Sequence, residues 1–411
     1  MTPPLEKHIV RVLTSAQILN GLGVAGTVAA GSLLVSSISK SESLAGLAQT
    51  SAVLGAAAMA LPLSRLTIRG GRRLALSVGY SVGIVGAILA IVGGSTRILA
   101  LMLLGTFLVG AASAAGYQAR FAAVDLATDE TRSRHLSMVV WGSTVGAVAG
   151  PNLMEPAGNV AEAIGLPRLV GPYLIAVVSL TLATLVIALY LKPDPFLTAM
   201  SYLPEASQSE SRKSTVATLK IISKNRSALF AIASIAIGHI VMVFVMVMTP
   251  VHMAHVDETL TVIGLVISVH VAGMYAFSPV VGYLSDSLGR RRVIQIGTII
   301  LLLACLVAGR SPGTSAIPLG LGLFLLGLGW SCTLIAGSAL LSESVNEAML
   351  PSTQGASDLI MNLMAAVGAA MAGVIIAFLS YGWLCAIAAI PVLFLGLWSL
   401  RMSERSGTLA L

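Results

Sequence analysis

Histidine and methionine residues are concentrated in one part of this 411-residue chain. The sequence has 6 His and 16 Met, so an even spread would put about two of them in a window of 36 residues. Thioether and imidazole groups together favour Cu(I) among biological metals, so a dense group of them predicts a copper site. The window 239–274 contains nine such residues: His239, Met242, Met246, Met248, His252, Met253, His255, His270 and Met274.

Two pairs within this window have helical spacing. Met242 and Met246 are four residues apart, as are His270 and Met274, so each pair lies on one face of a helix. If the two helices are consecutive and antiparallel, Met242 and His270 lie at about the same depth, roughly 15 Å from the shared helix boundary. We therefore predict that the two pairs face each other and bind one metal ion.

The remaining residues of the window allow two interpretations each. His239 is either a further ligand or a buried imidazole with a hydrogen-bond partner. Met248 and the three residues His252, Met253 and His255 follow on another face or beyond Pro250, where they form either a solvated helix end or an outer capture site for cations. Asp257 and Glu258 add negative charge that favours the second interpretation.

The composition indicates that helices in a lipid bilayer position these residues. Hydrophobic residues make up 56% of the chain, charged residues only 10%, and the mean hydropathy is +0.92. Soluble proteins have roughly a quarter of charged residues, so a soluble globular protein is excluded. Three cysteines in apolar segments also exclude a disulfide scaffold.

The apolar segments predict an all-α integral membrane protein with twelve transmembrane helices. They are grouped in an N-terminal half (residues 1–191) and a C-terminal half (227–411), separated by a cytoplasmic linker (192–226) that is rich in Pro, Ser and charged residues. The predicted helices cover about 12–38, 43–63, 73–94, 98–122, 135–155, 168–191, 227–250, 259–282, 293–309, 315–340, 354–379 and 381–400. The paired motifs then occupy the seventh and eighth helices, near mid-membrane.

Basic residues predict the orientation. With both termini in the cytoplasm, 20 of the 24 Lys and Arg residues lie on the inner side, which satisfies the positive-inside rule. The four outer ones are Lys40, Arg97, Arg168 and Arg310. The positive net charge is therefore a topology signal, and no nucleic-acid partner is expected; the lipid bilayer is the expected surrounding.

Two loops carry related basic turns. Gly71-Arg72-Arg73 lies between the second and third helices, and Gly282 to Arg291, with Asp286, Gly289 and Arg290, lies between the eighth and ninth. This signature resembles that of the major facilitator superfamily, although Ile68 stands where the first copy usually has Asp. The segment Gly142 to Gly146 is similar to a motif of exporters in that superfamily, or serves close helix packing.

The paired motifs MxxxM and HxxxM, in the seventh and eighth helices of such a chain, resemble those of the CcoA-like copper importers. The resemblance implies that Met242, Met246, His270 and Met274 bind copper, and that copper is imported across the bacterial inner membrane for assembly of cbb3-type cytochrome c oxidase. It implies copper as substrate, no prosthetic group, and a periplasmic donor and cytoplasmic chaperone as partners of a monomer. A similar sister group imports riboflavin.

Polar residues elsewhere are candidates for gating or coupling. Arg120 and Asp125, at the inner end of the fourth helix, form either a structural pair or part of a gate, and Asp358 lies in the eleventh helix. Asp286 and Arg290 complete this group.

Enzyme motifs do not account for this sequence. Gly21-Leu-Gly23-Val-Ala-Gly26 has the letters of a dinucleotide site but lies in an apolar helix with no preceding strand. Because no P-loop, HExxH or GxSxG motif is present, we expect no enzyme. The alternatives to copper import are transport of an organic solute, by riboflavin uptake or drug efflux, and a membrane copper receptor that does not translocate.

Overall fold

The computed structural model describes residues 3–40, 44, 46–203, 223–254, 260–312 and 314–401. Within these residues it contains fourteen α-helices, two 3₁₀ turns and no strand. The helices are α1 Pro3–Ser39, α2 Leu47–Thr96, α3 Leu99–Ala122, α4 Arg132–Asn152, α5 Met154–Ala163, α6 Gly171–Tyr190, α7 Pro195–Ser201, α8 Arg226–Ala254, α9 Leu260–Tyr275, α10 Ser278–Leu288, α11 Arg290–Arg310, α12 Ala316–Glu343, α13 Leu350–Phe378 and α14 Tyr381–Arg401.

Ten helices in the described chain are long and apolar enough to cross a membrane. One of them, α2, has 50 residues and accounts for both the second and the third predicted helix. The fifth predicted helix corresponds to α4, and the structure therefore follows the predicted order of twelve crossings in an all-helical membrane protein.

The chain reverses within α2 at Gly71. This residue has φ 83° and ψ 177°, a conformation that glycine adopts without a Cβ clash. A Cβ at Gly79 would lie 3.1 Å from the Leu63 side chain. Sixteen residues of straight helix would separate those two positions by roughly 24 Å, so the limbs on either side of Gly71 must pack against each other.

The eighth predicted helix is interrupted. The sequence predicts a continuous helix over 259–282, whereas α9 ends at Tyr275 and α10 begins at Ser278. Pro279 lies in the first turn of α10, where its missing N–H costs no helical hydrogen bond. The interruption therefore lies just after Met274, the last residue of the predicted metal motif.

The linker contains a short helix, α7, that the polar composition did not predict. Asp194 caps it by accepting hydrogen bonds from the backbone N–H groups of Phe196 and Leu197. Residues 204–222 of the linker lie outside the described residues.

Glycines bring the N-terminal helices into close contact. A Cβ at Gly21 of α1 would lie 3.2 Å from the Cα of Gly146 in α4, and one at Gly23 would lie 3.2 Å from the Leu180 side chain in α6. These contacts explain both glycine motifs of the N-terminal half as helix packing. The interpretation of Gly21 to Gly26 as a helix-packing segment agrees with these contacts.

Buried apolar side chains form three clusters. Two consist of residues of the N-terminal half together with Ala199 of α7, whereas the third consists mainly of C-terminal residues joined by Phe121, Val124, Leu136 and Val140. The division of the chain at 191 and 227 is compatible with this grouping and stays a prediction.

Candidate transport site

His270 lies on α9 and is completely buried. Its Nδ1 is 2.8 Å from the backbone carbonyl oxygen of Leu323 on α12. A carbonyl only accepts hydrogen bonds, so Nδ1 carries the proton and Nε2 has the free lone pair in the neutral ring. Among the described residues Nε2 has no partner. Metal-binding histidines are held in this way, with one nitrogen anchored and the other directed at the metal.

Met274 follows one turn later and is also buried. The two helices approach closely beside it, because Gly273 of α9 faces Phe324 of α12 and a Cβ at Gly327 would lie 2.7 Å from the backbone nitrogen of Met274. This contact holds the HxxxM face of α9 in a defined position against α12.

Met242 and Met246 lie on α8, which packs antiparallel to α12. A Cβ at Gly337 would lie 2.9 Å from the Ile235 side chain, and the indole of Trp330 donates a hydrogen bond to His239, so residue numbers rise along α8 as they fall along α12. By helical rise, Met242 is then level with Gly327 and Met246 with Leu323, residues that contact α9.

The candidate ligands therefore lie at two matching levels of the C-terminal half. Met242 and Met274 belong to one buried apolar cluster, and Met246 packs against it. Among the described residues no group of three or more His, Cys, Asp and Glu is arranged as a metal site. The site would thus have one imidazole and three thioethers, and convergence of these four groups on one ion stays a prediction.

His239 is held differently from His270. Its Nδ1 accepts a hydrogen bond of 2.9 Å from the indole Nε1 of Trp330, which in turn has an edge contact with the Tyr275 ring. Because Nδ1 accepts, the neutral ring has its proton on Nε2 and no free lone pair. The geometry favours the hydrogen-bonded interpretation of His239 over that of a ligand.

The outer part of the predicted copper path is only partly described. His252 stacks on the Tyr381 ring at 4.3 Å between centroids and borders a cavity of about 240 Å³. Met253 is fully buried in the C-terminal cluster. His255, with Asp257 and Glu258, lies outside the described residues. A capture role stays a prediction for His252.

Arg120 does not pair with Asp125, contrary to the structural interpretation of these two residues. Its Nη2 lies 2.6 Å from Oδ1 of Asp358, and both side chains are only 2% exposed. Arg120 lies on α3 of the N-terminal half and Asp358 on α13 of the C-terminal half. The pair therefore ties the two halves together, a contact between residues too far apart in sequence for spacing to predict.

Asp125 pairs instead with Arg72. Two hydrogen bonds of 2.7 and 2.9 Å join them, and Arg72 also donates one of 2.6 Å to Gln354 in the other half. Burial raises the pKa of Asp125, and the neighbouring Arg72 opposes this shift. The first basic turn thus uses a charge pair although Ile68 replaces the usual Asp.

A second acid completes the first turn. The carboxylate of Asp194, just before α7, accepts a hydrogen bond of 2.7 Å from the backbone nitrogen of Arg73 and fills the space where a Cβ on Gly71 would lie. Sequence reasoning missed Asp194, because its position after the sixth helix gives no signal of contact with the second loop.

The second basic turn also joins the two halves. Asp286 accepts hydrogen bonds of 3.0 and 2.9 Å from the backbone nitrogens of Ser133 and Arg134, at the start of α4. Arg290 pairs with Asp286 and, at 2.7 Å, with Glu343 at the end of α12. Glu343 was not predicted, although it follows the tenth helix as Asp125 follows the fourth.

These contacts share one end of the bundle, which we call the basic end: the turns at Gly71 and Gly289 and the loop 123–131. All hydrogen bonds between the two halves that the structure describes lie at or near this end. The protein is thus closed at the basic end.

A cavity of about 160 Å³ opens farther from that end. It lies mainly between α1, α2 and α3, and it reaches Tyr117 of α3 and Asn362 of α13. Within the described chain its lining includes none of the four candidate metal ligands.

Comparison with known proteins defines the class of the molecule: a multi-pass helical transporter. The profile of the Major Facilitator Superfamily matches residues 13–258 and 242–408. The uncharacterized MFS-type transporter YdeG of Bacillus subtilis strain 168 is 36% identical over 401 residues, which cover 96% of this chain and 92% of YdeG. The chain belongs to the Major Facilitator Superfamily.

More distant relatives share the fold. The riboflavin transporter RfnT of Brucella anthropi is 25% identical over 90% of this chain and 89% of its own. The crystal structure of the human organic anion transporter MFSD10 has a TM-score of 0.74 at 15% identity, covering 97% of this chain and 100% of that one. A bacterial homologue of ferroportin, in its outward-facing state, has a TM-score of 0.72 at 14% identity, covering 96% and 98%.

Proposed function

We propose that this transporter imports copper across the bacterial inner membrane by alternating access, as a supply for assembly of cbb3-type cytochrome c oxidase. The observation that carries the proposal is the buried His270 ring, which is anchored through Nδ1, has no partner for Nε2 among the described residues, and is followed one turn later by Met274. A buried imidazole lone pair without a partner costs free energy, and a bound soft cation would compensate for it.

The methionines of α8 support this proposal. Met242 and Met246 match the levels of Met274 and His270, and thioethers bind Cu(I) weakly enough to release it. The basic end is the cytoplasmic end in this proposal, since the basic loops cluster there. The closed basic end then corresponds to an outward-facing protein that receives copper from the periplasm, from a donor protein, and later releases it to a cytoplasmic chaperone.

Radioactive copper uptake into proteoliposomes tests the proposal. We expect His270→Ala and Met242→Leu to reduce accumulation by at least about tenfold, because each removes a ligand while Leu keeps the volume of Met. Met371→Leu is the matched control, since Met371 is 49% exposed on the outer surface of the bundle. Full uptake by both ligand variants would refute a copper site at these residues.

The same assay separates transport from binding. A receptor that does not translocate would bind copper in proportion to protein and show no accumulation inside the vesicles. Accumulation well above the amount of protein therefore supports a carrier.

Uptake of an organic solute such as riboflavin is the second candidate function. It is favoured by the relationship to RfnT and by the cavity that reaches Tyr117 and Asn362, which can offer stacking and hydrogen bonds to a ring system. Riboflavin added in excess to the copper assay distinguishes the two. Riboflavin uptake that Tyr117→Ala abolishes and His270→Ala leaves unchanged would favour this candidate over copper.

A further inference from the structure

The Arg120–Asp358 pair differs from the other ion pairs between the two halves. Both of its side chains are only 2% exposed, whereas the Arg134–Asp286 and Arg132–Glu343 pairs each have one or two partly exposed partners. Of the described ion pairs that join the halves, only this one is buried on both sides. It is therefore the tie whose strength depends most on the charge of its carboxylate.

Asp358 also has an unused oxygen. Oδ1 accepts the hydrogen bond from Arg120, while Oδ2 is buried and has no hydrogen-bond partner among the described residues. A buried ionised carboxylate with one bare oxygen is poorly stabilised, and an added proton on that oxygen would remove the buried negative charge.

The charged and titratable groups around Asp358 are few. Arg120 and Tyr117 face it from α3, and Arg72 lies within electrostatic range from the turn of α2. On α8, which packs against α13, His239 is the titratable group near this pair, through its interaction with Arg120. Neutralisation of Asp358 would leave Arg120 with Ser338 and the Tyr117 carbonyl as partners.

The cavity connects the Arg120–Asp358 pair to the side of the protein that lies away from the basic end. Tyr117 lines the cavity and its carbonyl accepts a hydrogen bond of 2.9 Å from Arg120. Asn362 lines it from α13 and donates one of 2.7 Å to the carbonyl of Asp358. The cavity thus ends within one helical turn of both partners, on the side opposite to the closed loops.

We propose that Asp358 is the binding site of a proton that is transported together with the cargo. A proton that arrives through the cavity adds to a lone pair of the Asp358 carboxylate and forms a neutral carboxylic acid, with no other bond made or broken. The ion pair with Arg120 then becomes a hydrogen bond to a neutral acid, which weakens this tie between the halves and favours opening of the basic end. Release of the proton at that end restores the charge and completes a symport cycle. The proposal rests on the proposed transport of a cargo, copper.

The other ties are unsuited to this task. Asp286 accepts hydrogen bonds from two backbone N–H groups at the start of α4 and faces Arg134 and Arg290, so each of its two oxygens already has a partner. Asp125 pairs with Arg72 within the same half, so its protonation would not separate the halves directly.

Two transport modes in proteoliposomes test the proposal with radioactive copper as the probe. Exchange of copper at equal pH requires the cargo site alone, whereas accumulation driven by an inward proton gradient also requires the proton site. We expect wild type to show both modes, and Asp358→Asn to exchange copper while losing at least about tenfold of the gradient-driven accumulation. Gradient-driven accumulation by Asp358→Asn at the wild-type level would overturn the proposal.

Two further variants separate charge from fold. The double variant Arg120→Gln with Asp358→Asn removes both buried charges and keeps a neutral hydrogen-bonded pair. It replaces Asp358→Asn if that single variant, with Arg120 unpaired, fails to fold. We expect the same loss of accumulation from it. Glu155→Gln is the matched acid-to-amide control, because the Glu155 side chain is 81% exposed and far along the chain from this pair. It should accumulate copper as wild type does.

A measurement without cargo keeps this proposal distinct from copper transport. Infrared difference spectra recorded across a pH titration detect the C=O band of a buried protonated carboxyl group. We expect a titrating band in wild type that is absent in Asp358→Asn and present in Glu155→Gln. If no band depends on Asp358, the proton site is refuted even when copper uptake succeeds; if the band is present and copper exchange fails, the proton site stands and copper is the wrong cargo.

Discussion

The two intramembrane histidines differ in the ring nitrogen that each leaves free. His270 donates from Nδ1 to a backbone carbonyl, so its Nε2 is an acceptor that has no hydrogen-bond partner among the described residues. His239 accepts at Nδ1 from Trp330 and carries its proton on Nε2. Two histidines separated by 31 residues of sequence thus differ: one has a ring nitrogen available to a ligand, and the other uses its lone pair in a contact between helices.

Amide substitutions at the two positions should therefore have different effects. We expect His239→Gln to keep at least about half of the copper uptake, because the Gln carbonyl can still accept from Trp330. His270→Gln should lose uptake at least about tenfold, since an amide is a poor ligand for Cu(I). Initial rates of radioactive copper uptake check both variants at equal amounts of protein in the membrane. Equal losses in the two would contradict this division of roles.

At the scale of the helices, α12 is the element that aligns the candidate ligands. It contacts α8 through Gly337 and Trp330, and α9 through Leu323 and Gly327. Small residues at these contacts allow the backbones to approach closely, as is typical of helix packing in membranes. The position of the HxxxM face depends on this approach.

A methyl group at the close contact should displace α9. We expect Gly327→Ala to destabilise the protein by about 1–3 kcal/mol, because its Cβ would collide with the backbone at His270 and Met274. Thermal unfolding in detergent, followed by intrinsic fluorescence, measures the change, and copper uptake should fall with it.

Gly320→Ala is the control on the same helix. A Cβ there would have its nearest neighbour, a methyl of Val266, at 3.9 Å, an ordinary van der Waals distance. Gly320→Ala should therefore unfold at the wild-type temperature. If both variants behave alike, the close approach at Gly327 does not position the site.

At the scale of the whole molecule, the two basic turns contribute unequally to the closed end. On one side Asp286 binds the start of α4 through two backbone hydrogen bonds. On the other side Ile68 replaces the acid, and the halves are joined there by Arg72 and Gln354. The described contacts indicate that Asp286 provides the stronger tie.

Loss of the Asp286 charge should shift the protein toward an open basic end. Hydrogen bonds to a charged group contribute about 1.5–3 kcal/mol each, so we expect Asp286→Asn to lower the closed population several-fold. Spin labels attached at Tyr190→Cys and Leu400→Cys, which are exposed positions in opposite halves, report this change. Double electron–electron resonance should show a longer distance between the two labels. The three native cysteines are buried and leave these labels specific.

Glu130→Gln is the control for this measurement, since the side chain is exposed in the neighbouring loop and belongs to no described ion pair between the halves. The distance distribution should remain as in wild type. An unchanged distribution in Asp286→Asn as well would show that the closed state does not depend on this tie.

Much of the architecture was determined by the sequence alone. Apolar segments of membrane length gave the helical class and its order, because a bilayer accepts only backbone groups that are hydrogen-bonded within a segment or barrel. The GxGxxG letters lie in an apolar segment, which indicated a membrane helix and not a nucleotide-binding loop, and the close contacts at Gly21 and Gly23 agree with this. These features depend on local composition and spacing, which sequence contains directly.

The tertiary structure decided which distant side chains meet. It paired Arg120 with Asp358 and Arg72 with Asp125, and it brought Asp194 to the turn at Gly71. It also distinguished His270 from His239 through their partners on α12. Helical periodicity defines the face on which a residue lies, but the neighbour of that face depends on how all the helices pack, and that arrangement is a property of the folded molecule.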